Sequence, residues 1–443
     1  MALKDLREYI KILEKENFLT RIPKQRSIEY EIPSVLKKYD GEKAVFIEAK
    51  GYKMDVVGNL CCSRDFIAKG LNIPKERIHA KITQAAKSPL KPTVFTDGPA
   101  QDCLIDKVNL RKDLPILKHY ERDGGPYITS SIIIVKDPET KRVNASYHRM
   151  LLVNSDKLVP RIVEGRDLHS FYLKSKRLGK PLEAAVVIGA PLELLITASM
   201  SYGSISELDL AGGLTNSSLE VVKCNTIDIE VPRHAEIILE GTILLNHQKE
   251  GPFVDITGSY DIIRDQPIFQ VNILTRRKDA FYQAILSGGF EHQLLMGMPK
   301  EAQIYDRVQD VSSVSGVALT PAGSNWLDAA ISIKKKHPNE PYLTAMAAIA
   351  AHYSLKRVVI VDEDVDVTDL LMVEKAVLER AHPVEDYFVI NNIMGSTLDK
   401  SVMRFGGKSL PPAKIIIDAT IKDKREFFEF GKIPQDTPIT TYN

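Results

Sequence analysis

Two carboxylates, Glu250 and Asp255, stand five residues apart in Asn246-His247-Gln248-Lys249-Glu250-Gly251-Pro252-Phe253-Val254-Asp255-Ile256-Thr257-Gly258. A central strand does not tolerate the Gly-Pro step between them, so the pair belongs at a chain turn. The apolar run Ala235–Leu245 precedes it, and a sheet edge of this kind can hold acids rigidly while a loop aims them at a substrate. A solvated hairpin end with two ordinary acids is the competing reading. Upstream, Asn144-Ala145-Ser146-Tyr147-His148-Arg149 puts an amide oxygen and a guanidinium five residues apart. Ser204 to Gly213 embeds Glu207 and Asp209 in an apolar, glycine-ended segment, an expensive place for a carboxylate without a partner. Hard oxygen ligands such as Asn144 and Glu207 suit Mg²⁺ or Mn²⁺, with phosphate oxygens completing the shell. Arg161 and Arg166 flank Glu164. Singly, each has a plain alternative: Asn144 a turn residue, Glu207 a helix-end acid, Arg149 a surface cation.

The elements that must position these residues fall into three textures. Leu6, Ile10, Leu13 and Phe18 recur at near-helical spacing, so Leu3 to Phe18 is expected to be a helix. Strands at Ala44–Glu48 and Met54–Gly58 and helices at Arg64–Leu71 and Lys75–Lys87 complete an α/β opening. Pro89, Pro92, Pro99 and Pro115 suggest a connection between domains. From Tyr127 strands dominate: Ser131–Lys136, Asn144–Val153, Lys157–Glu164, Glu183–Gly189, Ser218–Cys224, Thr226–Val231, Ala235–Leu245, Ile268–Leu274 and Ala280–Leu286, with a helix at Asp167–Leu178. So many strands with few helices point to a barrel or a strongly bent sheet. Beyond Met298 the pattern alternates again, with strands at Val358–Val361, Tyr387–Asn391 and Lys414–Asp418 and a helix at Thr368–Arg380 capped by Thr368. The expected domains are 1–110 (α/β), 111–298 (strand-rich) and 299–443 (α/β).

A chain of 443 residues exceeds what one core fills. Its net charge of +1 supplies no electrostatic reason to bind nucleic acid or an anionic membrane. Cys61-Cys62, Cys103 and Cys224 fit neither a disulfide framework nor a zinc spacing, which points to a reducing cytoplasm. No apolar run reaches the roughly 18 residues of a membrane span, so a soluble, intracellular protein is expected. Dinucleotide, zinc-protease and hydrolase-elbow motifs are missing. Gly406-Gly407-Lys408-Ser409 has the tail of a phosphate loop, but Val402 holds the place of its first glycine, and a surface turn is expected there.

Taken in order, these motifs resemble the UbiD-type decarboxylases that use prenylated FMN. The resemblance runs from about Leu3 to beyond Asp418 and is densest in Asn144–Arg149, Lys157–Arg166, Ser206–Gly212, Glu220–Cys224, Glu230–Pro232 with Ala235–Gly241, and Glu250–Gly258. It implies an α/β plus β fold: an N-terminal α/β portion, a central split β-barrel of the flavin reductase-like kind that carries the cofactor, and a C-terminal α/β domain that closes on it. It also implies a homodimer or higher oligomer, with Trp326 and a helix at Pro341–Tyr353 in the part that hinges or dimerises. Asn144 and Glu207 would hold Mn²⁺ against the cofactor phosphate, with K⁺ as a further candidate ion. Tyr147, His148 and Arg149, then Arg161, Ile162 and Val163 with Glu164 and Arg166, would surround the flavin, and Lys223 would approach its phosphate. Arg149, Glu250 and Asp255 match the family's Arg–acid–acid catalytic group. One departure stands out. Many members carry a histidine metal ligand just after the segment matching Arg161–Val163, whereas here Glu164-Gly165-Arg166 follows and the nearest histidine is His169. Glu164 is therefore a candidate third ligand, with water and phosphate as the alternative.

The implied chemistry needs these residue types. Losing CO₂ from an sp² carbon leaves a carbanion that no side chain can stabilise, so a cofactor must act as the electron sink and the protein must return a proton. Two neighbouring carboxylates in a dry site raise one pKa, while Arg149 lowers that of the acid it pairs with. Glu250 is assigned to the Arg149 pair and Asp255 to proton transfer. Among members, the compact archaeal ones convert trans-anhydromevalonate 5-phosphate to isopentenyl phosphate, and this short chain is similar to them. His148, His292 and Arg277 are candidate contacts for such a substrate. The rival substrate is 4-hydroxy-3-polyprenylbenzoate or another aromatic acid. A rival of another class is an inactive flavin- or metal-binding relative, against which the retained Arg149, Glu250 and Asp255 argue. A flavin prenyltransferase is the expected cofactor supplier.

Overall fold

The computed structural model describes residues 3–403 and 409–422, so Gly406, Gly407 and Lys408 lie outside the described residues. The chain forms two compact units, one of Met1–Gln303 with Pro321–Trp326, the other of Ile304–Thr320 with Leu327–Asn443.

In the first unit the opening helix spans Leu6–Lys15, capped by Asp5, whose side chain accepts from the Glu8 amide; it buries Leu6, Tyr9, Ile10 and Leu13 along one face. It stops short of Phe18 because Asn17 adopts a left-handed conformation (φ 59°) and turns the chain into a strand, Leu19–Arg26, that the periodicity did not predict. That strand joins Ala44–Ala49, Val56–Gly58 and Tyr282–Ala284 in a four-stranded sheet. The proline-rich passage supplies Thr93–Phe95, which pairs in parallel with Glu220–Lys223 inside this unit.

The largest sheet has nine strands, and its neighbouring strands all pair antiparallel. Its backbone is the pair Ile237–Glu250 and Arg264–Arg276, in register from Ile237↔Arg276 to Glu250↔Arg264. The first of these runs five residues past the expected Leu245, because Arg264–Arg276 offers it partners that far; Lys249 even meets Asp265 across the pair at 2.8 Å. The register shifts at Glu240/Gly241, where a Cβ on Gly241 would lie 2.0 Å from the Gln270 carbonyl oxygen, so only glycine fits the bend. Apolar residues cover both faces of the central strands. Ile132, Ile134, Ala185 and Val187 belong to one core, and Ile133, Val135, Ala184 and Val186 to the other. A mixed α/β fold around a half-barrel sheet is thus what the strand-rich texture builds.

The second unit holds a five-stranded sheet in the order Val314–Leu319, Asp328–Ile333, Arg357–Asp362, Ala413–Ala419, Tyr387–Asn391. Helices Glu340–Ala351 and Leu370–Arg380 bury Ala345, Ala348, Val373 and Val377 in the cores beside it. The cap of Leu370–Arg380 is Asp369, not Thr368. Its carboxylate accepts from the Leu371 and Met372 amides, while the Thr368 hydroxyl donates to Asp366. No helix among the described residues is long and apolar enough to cross a membrane.

Candidate active site

The long strand delivers Glu250 at its last residue, fully buried after four exposed or half-exposed positions. The chain then turns through Gly251–Pro252 and re-enters as Phe253–Val254, which pairs back on Tyr260–Asp261. This five-residue hairpin loop carries Asp255 at its start. The Asp255 amide donates to Ser259 O (2.9 Å) and its Oδ1 accepts from Ile256 N (2.6 Å). Arg149 arrives from the gap between strands Val143–Tyr147 and Met150–Leu152.

Arg149 is the hub. Its Nε and Nη2 donate to the two oxygens of Glu250 at 2.9 and 3.0 Å, a bidentate fork. Nη2 also reaches Asp261 at 3.0 Å, and Nη1 makes a longer contact of 3.4 Å to Asp255. Burial disfavours the charge, but the Glu250 bonds and the nearby Asp255 and Asp261 carboxylates hold the guanidinium firmly protonated. The Phe253 ring lies 5.0 Å below the guanidinium carbon. Tyr127 donates its hydroxyl to Glu250 Oε1 and accepts from the Gly251 amide, both at 3.1 Å, so one buried phenol fixes the acid and the turn together. Arg264 binds Asp261 at 2.6 Å and, with Arg149, keeps its carboxyl below the usual range against the opposing effect of burial. Glu250 is therefore locked, whereas the Asp255 side chain is 28% exposed and lightly held.

Beside Asp255 sits His292, on the helix Phe290–Val308. Its Nδ1 accepts from the Gly288 amide at 3.1 Å, which leaves the proton on Nε2. Burial lowers its pKa, with the Asp255 charge opposing and Arg149 assisting.

A second constellation lies along Val143–Tyr147. Glu207 opens the helix Glu207–Thr215, capped by Ser206, and its Oε2 accepts from the Ala145 amide at 2.8 Å. The Asn144 amide is 3.3–3.4 Å from both carboxylate oxygens. Burial pushes Glu207 up to about 7; the Ala145 bond and the charge of Arg142 pull the other way only in part. Asn144 Oδ1 and His148 Nε2 both face the Ser146 hydroxyl, at 3.0 and 2.9 Å. His148 gives its Nδ1 proton to the Arg161 carbonyl (2.8 Å), and burial pushes it down to about 4, so it is neutral. One hydroxyl proton cannot serve two acceptors. A buried, undercompensated carboxylate next to spare oxygen lone pairs is a donor set that suits a hard divalent cation.

The remaining predicted residues divide. Arg161 donates its amide to the Arg149 carbonyl (3.0 Å) and Ile162 donates to Gln266 (2.7 Å), which ties that segment to the hub. The Tyr147 hydroxyl donates to Leu195 O. Val163, Glu164 and Arg166 are exposed. Glu164 is exposed and pairs with Arg161 at 3.2 Å, and among the described residues no three His, Cys, Asp or Glu side chains cluster as a metal site. Lys223 is the exposed last residue of the strand Glu220–Lys223, and Arg277 is engaged by Asp5 (3.1 Å). Tyr127, Phe253, Asp261 and Arg264 were missed. Thr257-Gly258-Ser259 between two β-prone pairs was the available signal, since a hairpin there folds Asp261 back opposite Phe253.

The sequence matches the N-terminal, Rift-related and C-terminal domains of the 3-octaprenyl-4-hydroxybenzoate carboxy-lyase family over residues 10–86, 93–290 and 293–419. It is 39% identical to the anhydromevalonate phosphate decarboxylase of Methanothermobacter thermautotrophicus, over 91% of this chain and 96% of that one. The chain belongs to the UbiD family. A second UbiD relative, the anhydromevalonate phosphate decarboxylase of Methanosarcina mazei, is 37% identical over 97% of this chain and 99% of its own. Among solved UbiD-class structures, HmfF from Pelotomaculum thermopropionicum in complex with FMN superposes with a TM-score of 0.93 at 35% identity, covering 97% of each chain. An evolved dimeric form of HmfF in complex with prFMN gives 0.90 at 33%, covering 98% of this chain and 97% of that one.

Proposed function

We propose that this UbiD-family chain is a prenylated-FMN-dependent decarboxylase that converts trans-anhydromevalonate 5-phosphate to isopentenyl phosphate and CO₂. The observation that carries the reading is the contrast at the Arg149 hub between a locked, buried Glu250 and a lightly held, partly exposed Asp255. When bound, prenylated FMN supplies the electron sink for the carbon that loses CO₂. The chain's own residues do the rest. Glu250, itself fixed by Tyr127, and Asp261 hold Arg149 in one orientation, ready to receive a substrate carboxylate, and Asp255 returns the proton to carbon as general acid. The choice of substrate rests on the two archaeal relatives, which carry that name and match nearly end to end.

Asn144 and Glu207 hold Mn²⁺ in this reading, with K⁺ as a further ion. Glu164 joins that shell only by leaving Arg161; otherwise water and the cofactor phosphate complete it. Tyr147, His148, Arg149, Arg161, Ile162, Val163 and Arg166 line the flavin, and Lys223 approaches its phosphate. The half-barrel sheet is the core of a flavin reductase-like split barrel within segments 1–110, 111–298 and 299–443. The enzyme is cytoplasmic, takes its cofactor from a flavin prenyltransferase, and assembles as a homodimer or higher oligomer. A second reading, decarboxylation of 4-hydroxy-3-polyprenylbenzoate, draws on the description of the matching family domains.

Co-expression with a flavin prenyltransferase, followed by purification without oxygen, tests the proposal. Expected are a modified-flavin spectrum and CO₂ from trans-anhydromevalonate 5-phosphate. Release from the polyprenylbenzoate alone selects the second reading. Release from neither acid by loaded protein overturns both and leaves an inactive binding relative.

A further inference from the structure

The first unit contains a cavity of about 840 Å³ that shares no lining residue with the Arg149 hub or the Asn144–Glu207 pair. Its volume lies within the range of small-molecule sites. The floor is aromatic: Phe46 and Phe281 meet edge to face with ring centroids 6.0 Å apart. The wall is basic. Seven lining residues are Lys or Arg against four Asp or Glu, so this one cavity has a larger positive excess than the whole chain, whose net charge is +1.

Apart from Arg276, which donates to the Arg277 and Lys278 carbonyls, its cations are of two kinds. Arg7 and Arg21 are committed: Arg7 forks onto Glu236 (both bonds 2.8 Å) and Asp279 (2.6 Å), Arg21 pairs with Glu14 (3.0 Å), and their guanidinium carbons lie 5.2 and 4.6 Å over Phe281 and Phe46. They stiffen the floor. Lys11, Lys53, Lys112 and Lys278 have no carboxylate partner among the described residues, and they come from four separate places that converge here: the helix Leu6–Lys15, the turn before Val56–Gly58, the helix Leu110–Asp113 and the turn after Arg264–Arg276. Four free ammonium groups around an aromatic floor are complementary to a ligand with a flat or branched apolar body and at least two negative charges.

We infer that this cavity is a second binding site, distinct from the reaction centre, for an organic phosphate. The apolar part packs against Phe46 and the Arg7 and Arg21 guanidinium planes that cover the rings, and the phosphate is bound by the free lysines.

Calorimetric titration of the cofactor-loaded enzyme with phenyl phosphate, with inorganic phosphate and benzyl alcohol as probes of each half, tests it. Saturable phenyl phosphate binding is expected, weaker for either half-ligand. Lys53→Glu with Lys278→Glu should weaken it about tenfold or more by reversing two charges at the rim. Both side chains are exposed, so folding is undisturbed, and an unchanged flavin spectrum verifies it. Arg149→Ala should leave this binding intact. The inference is overturned if the wild type shows no saturation below about 1 mM, if the double variant binds equally, or if Arg149→Ala abolishes binding and so places the anion in the reaction centre. It is also overturned if the double variant changes its sedimentation, because the cavity would then be a contact between copies of this chain.

Discussion

Glu250 and Asp255 look alike in sequence, but the structure predicts that they differ in what they do for stability. Removing one partner of a buried ion pair costs about 3–5 kcal/mol, because the other charge is left unpaired. The Glu250 side chain is 0% exposed and that of Arg149 only 11%. Glu250→Gln keeps one acceptor oxygen, which can still serve Arg149 Nε and the Tyr127 hydroxyl, but it turns an amide donor against the Nη2 donor. Asp261 at 3.0 Å and Asp255 at 3.4 Å remain as partial partners, which brings the expected loss down to about 2–3 kcal/mol. Asp255→Asn removes only the long contact of a side chain that is 28% exposed, so about 1 kcal/mol or less is expected. Urea unfolding of the cofactor-free protein at neutral pH measures both. Trp326, the only tryptophan, lies in the first unit, so its fluorescence follows the unit that holds the hub. Equal losses for the two variants, or a larger loss for Asp255→Asn, would refute the assignment of Glu250 as the locked acid.

Tyr127→Phe deletes a buried hydroxyl that joins Glu250 to Gly251, and an unfolding free energy lower by about 1–3 kcal/mol is expected from the same fluorescence assay. Burial raises Glu207 from 4.5 to about 7, so its contribution to the stability of metal-free protein is greatest below about pH 4.5 and is lost as pH rises towards about 7. Mn²⁺ should reverse that loss: melting curves should show marked stabilisation by Mn²⁺ at pH 8 and little at pH 5.5, where Glu207 holds its proton. Glu207→Gln should lower Mn²⁺ retention about 10–100-fold, measured by metal analysis after dialysis, and release flavin with it. Glu164→Ala should have much the smaller effect, since its carboxylate is in solvent on Arg161.

What was legible in the sequence depended on how local its cause was. The helix Arg64–Leu71 was read with both ends in place, because Ser63 caps its start and Asn72, in a left-handed conformation, stops it. The strand Tyr387–Asn391 was likewise read with both its ends. The Leu6–Lys15 helix was overextended, since Phe18 fits the helical spacing and nothing but the backbone turn at Asn17 excludes it. Arg149 and Glu250 lie 101 residues apart, and no periodicity joins them; the resemblance to a family did. Asp261 and Tyr127 escaped because their roles arise from a hairpin register and a buried hydroxyl, neither of which leaves a compositional trace. Glu164 became a candidate ligand through the resemblance alone, and no local pattern pointed to its observed place, exposed and paired with Arg161 three residues away.

The most direct test of the account is solvent deuterium exchange into isopentenyl phosphate by enzyme loaded with prenylated FMN, comparing wild type with Asp255→Asn. The wild type should exchange the vinylic hydrogen. Asp255→Asn should keep the modified-flavin spectrum yet lose exchange and turnover by about 10²–10⁴-fold, the usual worth of a positioned general acid. Exchange and turnover at wild-type rates in Asp255→Asn would contradict the central claim that this lightly held acid moves the proton.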